Sequence, residues 1–308
     1  MKNKILAKIL IFLVLITILS LTNLNHWGFQ GHKIINRMAV FTLPSELVIF
    51  FKKNIEFLTE NSTTPDSRRY SNKKEGAGHY IDLEFYTYID SIEKYNWKKI
   101  CEKIPQDSLY KHGVLPWRII QYKYLLQKAF ENKSYREILK YASELGHYIA
   151  DSHVPLHTTK NYNGQYTNQQ GIHSLWETKI VNSISNEINY FTKKANYIEN
   201  IQTYIWKIIK ESNKDVQKVL EDEKIVSLDI NIVKYTFPFQ NDKKTYSEDF
   251  IKAYNTKLNG LVSKRMKMAI ENLGSIWYTA WIDAGQPLLN EKHIKTIIPI
   301  KDRKHECE

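Results

Sequence analysis

The stretch between residues 146 and 177 is dense in imidazole and carboxylate side chains. On a helix, residues four positions apart lie one above the other, so His147 and Asp151 can direct two ligands at one ion. His173 and Glu177 have the same spacing. Imidazole nitrogen and carboxylate oxygen together suit zinc. The two pairs therefore predict a zinc site, although chance gives on the order of one such pair in a chain of this composition.

The sequence HYIADSHVPLH, residues 147 to 157, strengthens this prediction. Pro155 ends the helix, and the chain can then return His157 to the neighbourhood of the first pair. A third set of ligands becomes possible because residues of the right types also lie upstream. These are Trp27, His32, Asp66 and His79.

Several other polar residues in the same regions have weaker claims. His153 follows Asp151 by two positions and lies on another side of the helix, which favours a structural or supporting role over metal ligation. Asp82, three residues after His79, is a candidate acceptor that would fix an imidazole tautomer, with a plain surface charge as the alternative. Three histidines have no other ligand-type residue at a spacing typical of metal sites. These are His112, His293 and His305.

The chain has only two cysteines, Cys101 and Cys307. One bridge between them is compatible with an oxidising compartment, but two cysteines this far apart form no disulfide framework. They also cannot supply a thiolate zinc site. Any metal must therefore be held by nitrogen and oxygen.

The elements that position these residues are predicted to be helices. Glycine and proline are scarce, at 11 and 8 residues, and apolar residues recur at helical spacing along most of the chain. We therefore expect an all-α, single-domain fold, with surface loops at 60–80 and 152–170. The predicted helices are 31–42, 45–58, 116–131, 134–151, 171–186, 194–212 and 245–284.

The N-terminal segment has the pattern of a secretory signal. Lysines at positions 2, 4 and 8 precede an apolar run from Ile9 to Leu21, so we expect export to the periplasm or the extracellular space. An uncleaved signal anchor in the membrane is the alternative. We divide the chain into a signal peptide at 1–26, a helical domain at 27–290 and a polar tail at 291–308. The net charge of +11 permits a polyanionic substrate, although excess lysine can also be only a solvated surface.

These motifs resemble a known superfamily, the zinc-dependent phospholipases C of bacteria and the single-strand-specific zinc nucleases of fungi and plants. The resemblance extends from WGFQGH at 27–32 to the last long helix and implies an all-helical fold with three zinc ions. It implies that Trp27, His32 and Asp151 bind the third ion, through the free amine that cleavage before Trp27 would create. The first ion would be bound by Asp66, His79, His147 and Asp151, and the second by His157, His173 and Glu177.

Two features favour the nuclease branch, and two favour the phospholipases. The spacing in WGFQGH and the presence of Arg69 three residues after Asp66 resemble the nucleases, and a guanidinium at this position could bind a phosphate oxygen bidentately. Glu177 stands where typical nucleases have aspartate and the phospholipases have glutamate. The segment 263–285 also resembles the phospholipases. We favour the nuclease branch.

The predicted chemistry is hydrolysis of phosphate esters. Two close zinc ions would acidify a bound water and direct the resulting hydroxide at phosphorus, with Asp66, Asp151 and Arg69 as the catalytic side chains. Our first hypothesis is an exported endonuclease for single-stranded RNA or DNA, with 3'-nucleotidase activity as an addition and no stable protein partner. The alternative is a phospholipase C that cleaves phospholipid headgroups. A third hypothesis is a non-catalytic secreted binding protein that zinc stabilises.

Overall fold

The helix Tyr135–Ser152 lies at the centre of the fold, and most of its residues are buried. This computed structural model describes residues 28–237 and 244–289. The predicted signal peptide, Trp27 and the predicted polar tail, with His293, His305 and Cys307, lie outside the described residues. None of the described helices is long and apolar enough to cross a membrane.

The described elements are fifteen α-helices and two very short strands, together with short 3₁₀ segments. The first eight helices are α1 Phe29–Ala39, α2 Ser45–Lys53, α3 Ile55–Glu60, α4 Thr64–Arg68, α5 Lys73–Gly76, α6 Trp97–Lys103, α7 Gln106–His112 and α8 Leu115–Glu131. The others are α9 Tyr135–Ser152, α10 Ile172–Ser174, α11 Val181–Ile184, α12 Ile201–Lys214, α13 Val216–Ser227, α14 Glu248–Lys257 and α15 Leu261–Asp283. A π-helical segment, Leu175–Ile180, joins α10 to α11. The strands β1 Tyr235–Thr236 and β2 Thr245–Tyr246 pair antiparallel.

Two apolar clusters form the core, and they meet near the end of α9. The first packs α9 against α1, α3, α8 and α15 and includes the Phe51–Trp277 ring contact at 5.0 Å. The Trp277 indole N–H donates to the carbonyl of Ala142 at 3.1 Å. The second cluster begins at Val154 and joins the helical segments around 172–184 to α13, α14 and the start of α15. The last turn of α9 is therefore covered from both sides.

Gly146 permits the close approach of α1 to α9. A Cβ at this position would stand 1.9 Å from Asn36 Oδ1, closer than any real contact allows. The Asn36 amide nitrogen donates to the carbonyls of Leu58 at 3.0 Å and Ser143 at 2.9 Å, which ties three helices together. This approach brings His32 of α1 against the ring of His147, the residue after the glycine.

The all-α prediction is confirmed, but several predicted boundaries are wrong. Residues 194–200 have no regular secondary structure, and α12 begins only after Asn200, whose side chain accepts a hydrogen bond from the Thr203 amide. The predicted helix 245–284 is interrupted by Asn259 and Gly260, whose φ angles of 52° and 75° are left-handed. The predicted helix 45–58 is also interrupted, at Asn54.

Other segments were assigned the wrong class. The sequence did not predict helices α6, α7 and α13. The predicted surface loops at 60–80 and 152–170 contain short helical turns and many buried residues, among them the continuous run from His153 to Thr159. These segments lack an apolar period because most of their buried side chains are polar.

Candidate metal centre

The first group of candidate ligands surrounds the end of α9. His147 Nε2 lies 2.9 Å from His79 Nδ1 and 3.4 Å from Asp151 Oδ2, and His79 Nδ1 lies 3.0 Å from the same oxygen. Asp66 Oδ1 lies 3.8 Å and 3.9 Å from the two imidazole nitrogens. Four tetrahedral ligands at about 2.1 Å from one zinc ion stand about 3.4 Å apart. The spacing of these atoms therefore fits a single ion.

The second group combines a 3₁₀ turn with the π-helical segment. The turn Pro155–Thr158 carries His157, whose Nε2 lies 3.2 Å from His173 Nε2 and 3.5 Å from Glu177 Oε2. His173 Nε2 is 2.7 Å from the same carboxylate oxygen. π-Helical turns are rare and often occur at functional sites, and this one contains Glu177.

His32 completes a third group. Its Nε2 lies 3.6 Å from Asp151 Oδ1 and 3.5 Å from Glu177 Oε1, and its ring stacks on His147 at 4.1 Å. Asp151 thus presents one oxygen to the first group and the other to His32. Glu177 is divided in the same way between His32 and the second group. The predicted ligand Trp27 lies outside the described residues.

In three of the candidate ligands, main-chain carbonyls determine which imidazole nitrogen is free to bind a metal. His147 Nδ1 lies 2.8 Å from the carbonyl of Ser62, and His157 Nδ1 lies 2.5 Å from that of His79. His173 Nδ1 is 3.3 Å from the carbonyl of Tyr162. A carbonyl can only accept, so in the neutral form of each ring Nδ1 carries the proton and Nε2 has the lone pair. Partners of this kind orient imidazoles that bind metals.

The resulting arrangement fits divalent cations. The Nε2 lone pairs of His157 and His173 face each other at 3.2 Å, which is repulsive unless a proton or cation lies between them. His32 Nδ1 and His79 Nε2 are buried without a hydrogen-bond partner, and such groups cost free energy. These residues could hold metal ions, since the ligand atoms within each group lie within 4.8 Å of one another.

The pKa values of the candidate ligands also indicate that the buried carboxylates favour positive charge beside them. Burial disfavours the charged form of His157, but Asp151 and Glu177 outweigh it and raise the pKa of His157 to about 9. Burial would raise the pKa of Glu177, but hydrogen bonds from His157 and His173 hold it well below its usual range. The pKa of Asp151 is also lowered against the effect of burial, chiefly by His147 and His157. Asp151 and Glu177 are therefore anionic, and metal binding would displace a proton from His157.

A wide cleft of about 1010 Å³ opens beside these groups. Arg69 lines it with 48% of its side chain exposed, and its guanidinium lies 3.5 Å from Asp66 Oδ1. It is therefore at the edge of the site, with donors available to a ligand in the cleft. Other residues that line the cleft are His79, Asp82, Lys160, Tyr162 and His173.

The remaining histidines of this region have definite partners. His153 is buried outside the three groups, with Nδ1 2.8 Å from the carbonyl of Ile149 and Nε2 2.8 Å from the Asn272 amide nitrogen. The expectation that His112 has no partner is wrong. Its Nδ1 lies 3.1 Å from Asp82 Oδ2, and its ring stacks on Phe85 at 3.8 Å. Asp82 thus does accept from an imidazole, but not from a candidate ligand.

Sequence reasoning missed a second buried polar cluster beside the site. Arg68 NH1 binds Glu144 Oε1 at 2.8 Å, and Arg68 also contacts Glu75 at 3.3 Å. The Tyr148 hydroxyl donates to Glu75, and the Tyr148 ring contacts those of His79 and His147. We call Arg68, Glu75, Glu144 and Tyr148 the arginine cluster. No sequence signal marked Glu144, because it lies on the same helix face as the exposed Glu137 and Lys140.

Comparison with known proteins identifies the family. The model of the S1/P1 nuclease family matches residues 27–275, which is most of the chain. The chain belongs to the S1/P1 nuclease family. The match to S1/P1 nucleases begins at Trp27 and includes every candidate ligand. No curated protein matches the chain in sequence.

Among solved structures, the chain is similar to the alpha-toxin of Clostridium perfringens. The identity is 13% and the TM-score is 0.49, over 84% of this chain and 64% of the toxin. The chain therefore spans less than two thirds of the length of the toxin.

Proposed function

We propose that this S1/P1 nuclease hydrolyses the phosphodiester bonds of single-stranded nucleic acid with three zinc ions. The first ion would be held by Asp66, His79, His147 and Asp151, and the second by His157, His173 and Glu177. The third would be held by His32 and Asp151 together with Trp27. Family membership supports the reaction class, and the ligand chemistry supports the metal.

The observation that carries this proposal is the facing lone pairs of His157 and His173 at 3.2 Å beside the Glu177 carboxylate. A purely structural role would not explain this arrangement. Burying polar imidazole nitrogens that face each other costs free energy, whereas apolar side chains in the same place would stabilise the core. The edge of the same cluster opens into the large cleft. A cation bound here is therefore accessible to a substrate, as catalytic sites require.

Each part of the site has a separate task. Zinc, when bound, supplies Lewis acidity and lowers the pKa of a coordinated water. Asp151 and Glu177 each offer their two oxygens to different ligand groups, so they would hold neighbouring cations. Arg69 can donate to a nonbridging phosphate oxygen, which neutralises charge and orients the phosphodiester in the cleft.

The N-terminal sequence supports export as part of the same proposal. A free amine at Trp27 exists only if the segment 1–26 is removed, and an acylated nitrogen cannot bind a metal ion. The basic segment followed by an apolar run is typical of a signal that is cleaved. We therefore propose that the mature protein begins at Trp27 and acts in the periplasm or outside the cell.

The test uses the secreted, zinc-loaded protein on single-stranded oligonucleotides, duplex DNA and phosphatidylcholine vesicles. We expect cleavage of the single strands, loss of cleavage in excess chelator, and recovery when zinc is restored. Release of diacylglycerol without cleavage of oligonucleotides would instead identify a phospholipase C. Intact oligonucleotides and intact lipid at saturating zinc would contradict both activities.

A pair of histidine variants tests the ligand assignment. His157→Ala should abolish turnover and lower the zinc content, because it removes one lone pair of the second group while the helical core is unchanged. His112→Ala is the matched control, since this imidazole lines the same cleft but lies outside the three ligand groups. Zinc content is measured by mass spectrometry of the metal, and folding by circular dichroism. Equal zinc contents in the two variants would contradict the assignment.

A further inference from the structure

A second cavity adjoins the cleft at Tyr110. It measures about 210 Å³ and is lined by Trp97, Tyr110, Val114, Trp117, Arg118 and Gln121. Tyr110 also lines the large cleft, so the two spaces share a wall. A polymer that leaves the cleft over Tyr110 would therefore enter this cavity next.

Aromatic rings form the apolar part of the cavity. Trp97 lies 5.8 Å from the Tyr110 ring and 6.1 Å from the Trp117 ring, both at steep angles. Trp117 is 4% exposed, and its indole N–H donates to the carbonyl of Tyr95 at 2.8 Å. The floor of the cavity is thus rigid, while Trp97 and Tyr110 are only partly buried and still offer ring surface to a ligand.

Positive charge lies beside these rings. Arg118 donates to Gln121 Oε1 at 3.3 Å and to the carbonyl of Lys74 at 3.2 Å, and both acceptors are neutral. Its Nε is buried without a hydrogen-bond partner, and no carboxylate within ion-pair distance of Arg118 is found in the described residues. The ammonium group of Lys74 lies 5.2 Å from the centre of the Tyr110 ring. The cavity therefore joins flat aromatic surface to two cations.

We propose that this cavity is a distal subsite that binds a nucleotide of the single-stranded substrate away from the scissile bond. A base would stack on Trp97 and Tyr110, and its phosphate would interact with Lys74 and Arg118. Single strands present bases and phosphates in alternation, and proteins bind them with aromatic platforms beside positive charge. This inference rests on the proposed function, because it assumes that the cleft binds nucleic acid.

The experiment compares a dinucleotide with a dodecanucleotide as substrates of the zinc-loaded enzyme. Gln121→Trp fills the cavity from an exposed position on α8 and spares the apolar core. We expect KM for the dodecanucleotide to rise roughly tenfold, as the loss of one stacked base predicts, with KM for the dinucleotide and both kcat values unchanged. Tyr124→Trp is the matched control, because it adds the same side chain at an exposed position of α8 that does not line the cavity.

A second variant, measured by binding and not by turnover, keeps the test independent of how the new tryptophan packs. Lys74→Ala should weaken binding of a phosphorothioate dodecathymidylate about threefold at low salt, measured by fluorescence anisotropy, and the difference should vanish at high salt. The subsite would be overturned if Gln121→Trp changed KM equally for both substrate lengths. It would also be overturned if Gln121→Trp left KM unchanged or Lys74→Ala left the binding affinity unchanged. In each case the proposed function would stand. Failure of the unmodified enzyme to cleave either oligonucleotide would overturn the function and the subsite together.

Discussion

Two clusters of charged side chains are buried side by side along α9, and in only one of them are the charges paired within the protein. In the arginine cluster, Arg68 is paired with Glu144 at 2.8 Å and with Glu75 at 3.3 Å. Burial would raise the pKa of Glu75, but the hydrogen bonds from Tyr148 and Arg68 lower it. The Arg68 guanidinium is thus paired with two carboxylates of the protein, and one oxygen of this cluster, Glu144 Oε2, is buried without a hydrogen-bond partner.

The candidate metal centre has the opposite character, although it begins one residue away. His147 precedes Tyr148 on α9, yet its Nε2 faces another imidazole nitrogen and two carboxylates. Carboxylates are concentrated here, and nitrogens that should be paired have no donor or acceptor. This difference is the reason why we propose that the arginine cluster is structural and that the second cluster binds cations, whose charge would balance its carboxylates.

Two consecutive arginines, Arg68 and Arg69, contact different clusters. Arg68 turns inward to the arginine cluster, whereas Arg69 remains half-exposed at the cleft beside Asp66. The first should matter for stability and the second for catalysis. Variants of each cluster should therefore separate the two kinds of effect.

The largest effect is expected in the metal centre. Asp151→Asn removes the charge that two ligand groups share, so we expect turnover to fall about a thousandfold or more. Zinc content should fall in the same variant, while the far-ultraviolet circular dichroism remains helical. A variant with parental zinc content and turnover would show that the two buried clusters do not differ in the way proposed.

A large effect on stability alone is expected in the arginine cluster. Glu144→Gln leaves the Arg68 guanidinium without its closest anion, and we expect the free energy of unfolding to fall by about 3 kcal/mol in urea titrations. The zinc-loaded variant should keep its zinc and its turnover at 25 °C. Glu56→Gln is the matched control, since its exposed pair with Arg37 should contribute less than about 1 kcal/mol.

A smaller effect, and one on catalysis alone, is expected at Arg69. Arg69→Ala should lower kcat/KM roughly thirtyfold, which corresponds to the loss of a charged hydrogen bond to phosphate. Stability should change by less than about 1 kcal/mol, because the pair with Asp66 is half-exposed. Arg69→Lys should recover part of the loss, since it restores the charge without the bidentate geometry. A stability loss as large as that of Glu144→Gln would mean that Arg69 has a structural role.

The local part of the site could be predicted from the sequence because it depends on helix geometry. The spacing of His147 and Asp151 puts both on one face of a helix, and Pro155 ends that helix before His157. The all-α class follows for the same reason, since the apolar period is a property of each segment. Helix ends were less predictable. The left-handed φ of Gly260 interrupts a long apolar pattern that continues on both sides.

Contacts between distant segments were decided only by the tertiary structure. Glu144 meets Arg68 across 76 positions, and His112 meets Asp82 across 30, so no periodicity relates either pair. The aromatic cavity beyond Tyr110 likewise needs three helices to converge. The sequence by itself determined which residues could bind a metal and that helices would carry them. Packing determined which buried charges neutralise one another and which are left for a ligand, because that balance depends on distances between segments that are far apart in the chain.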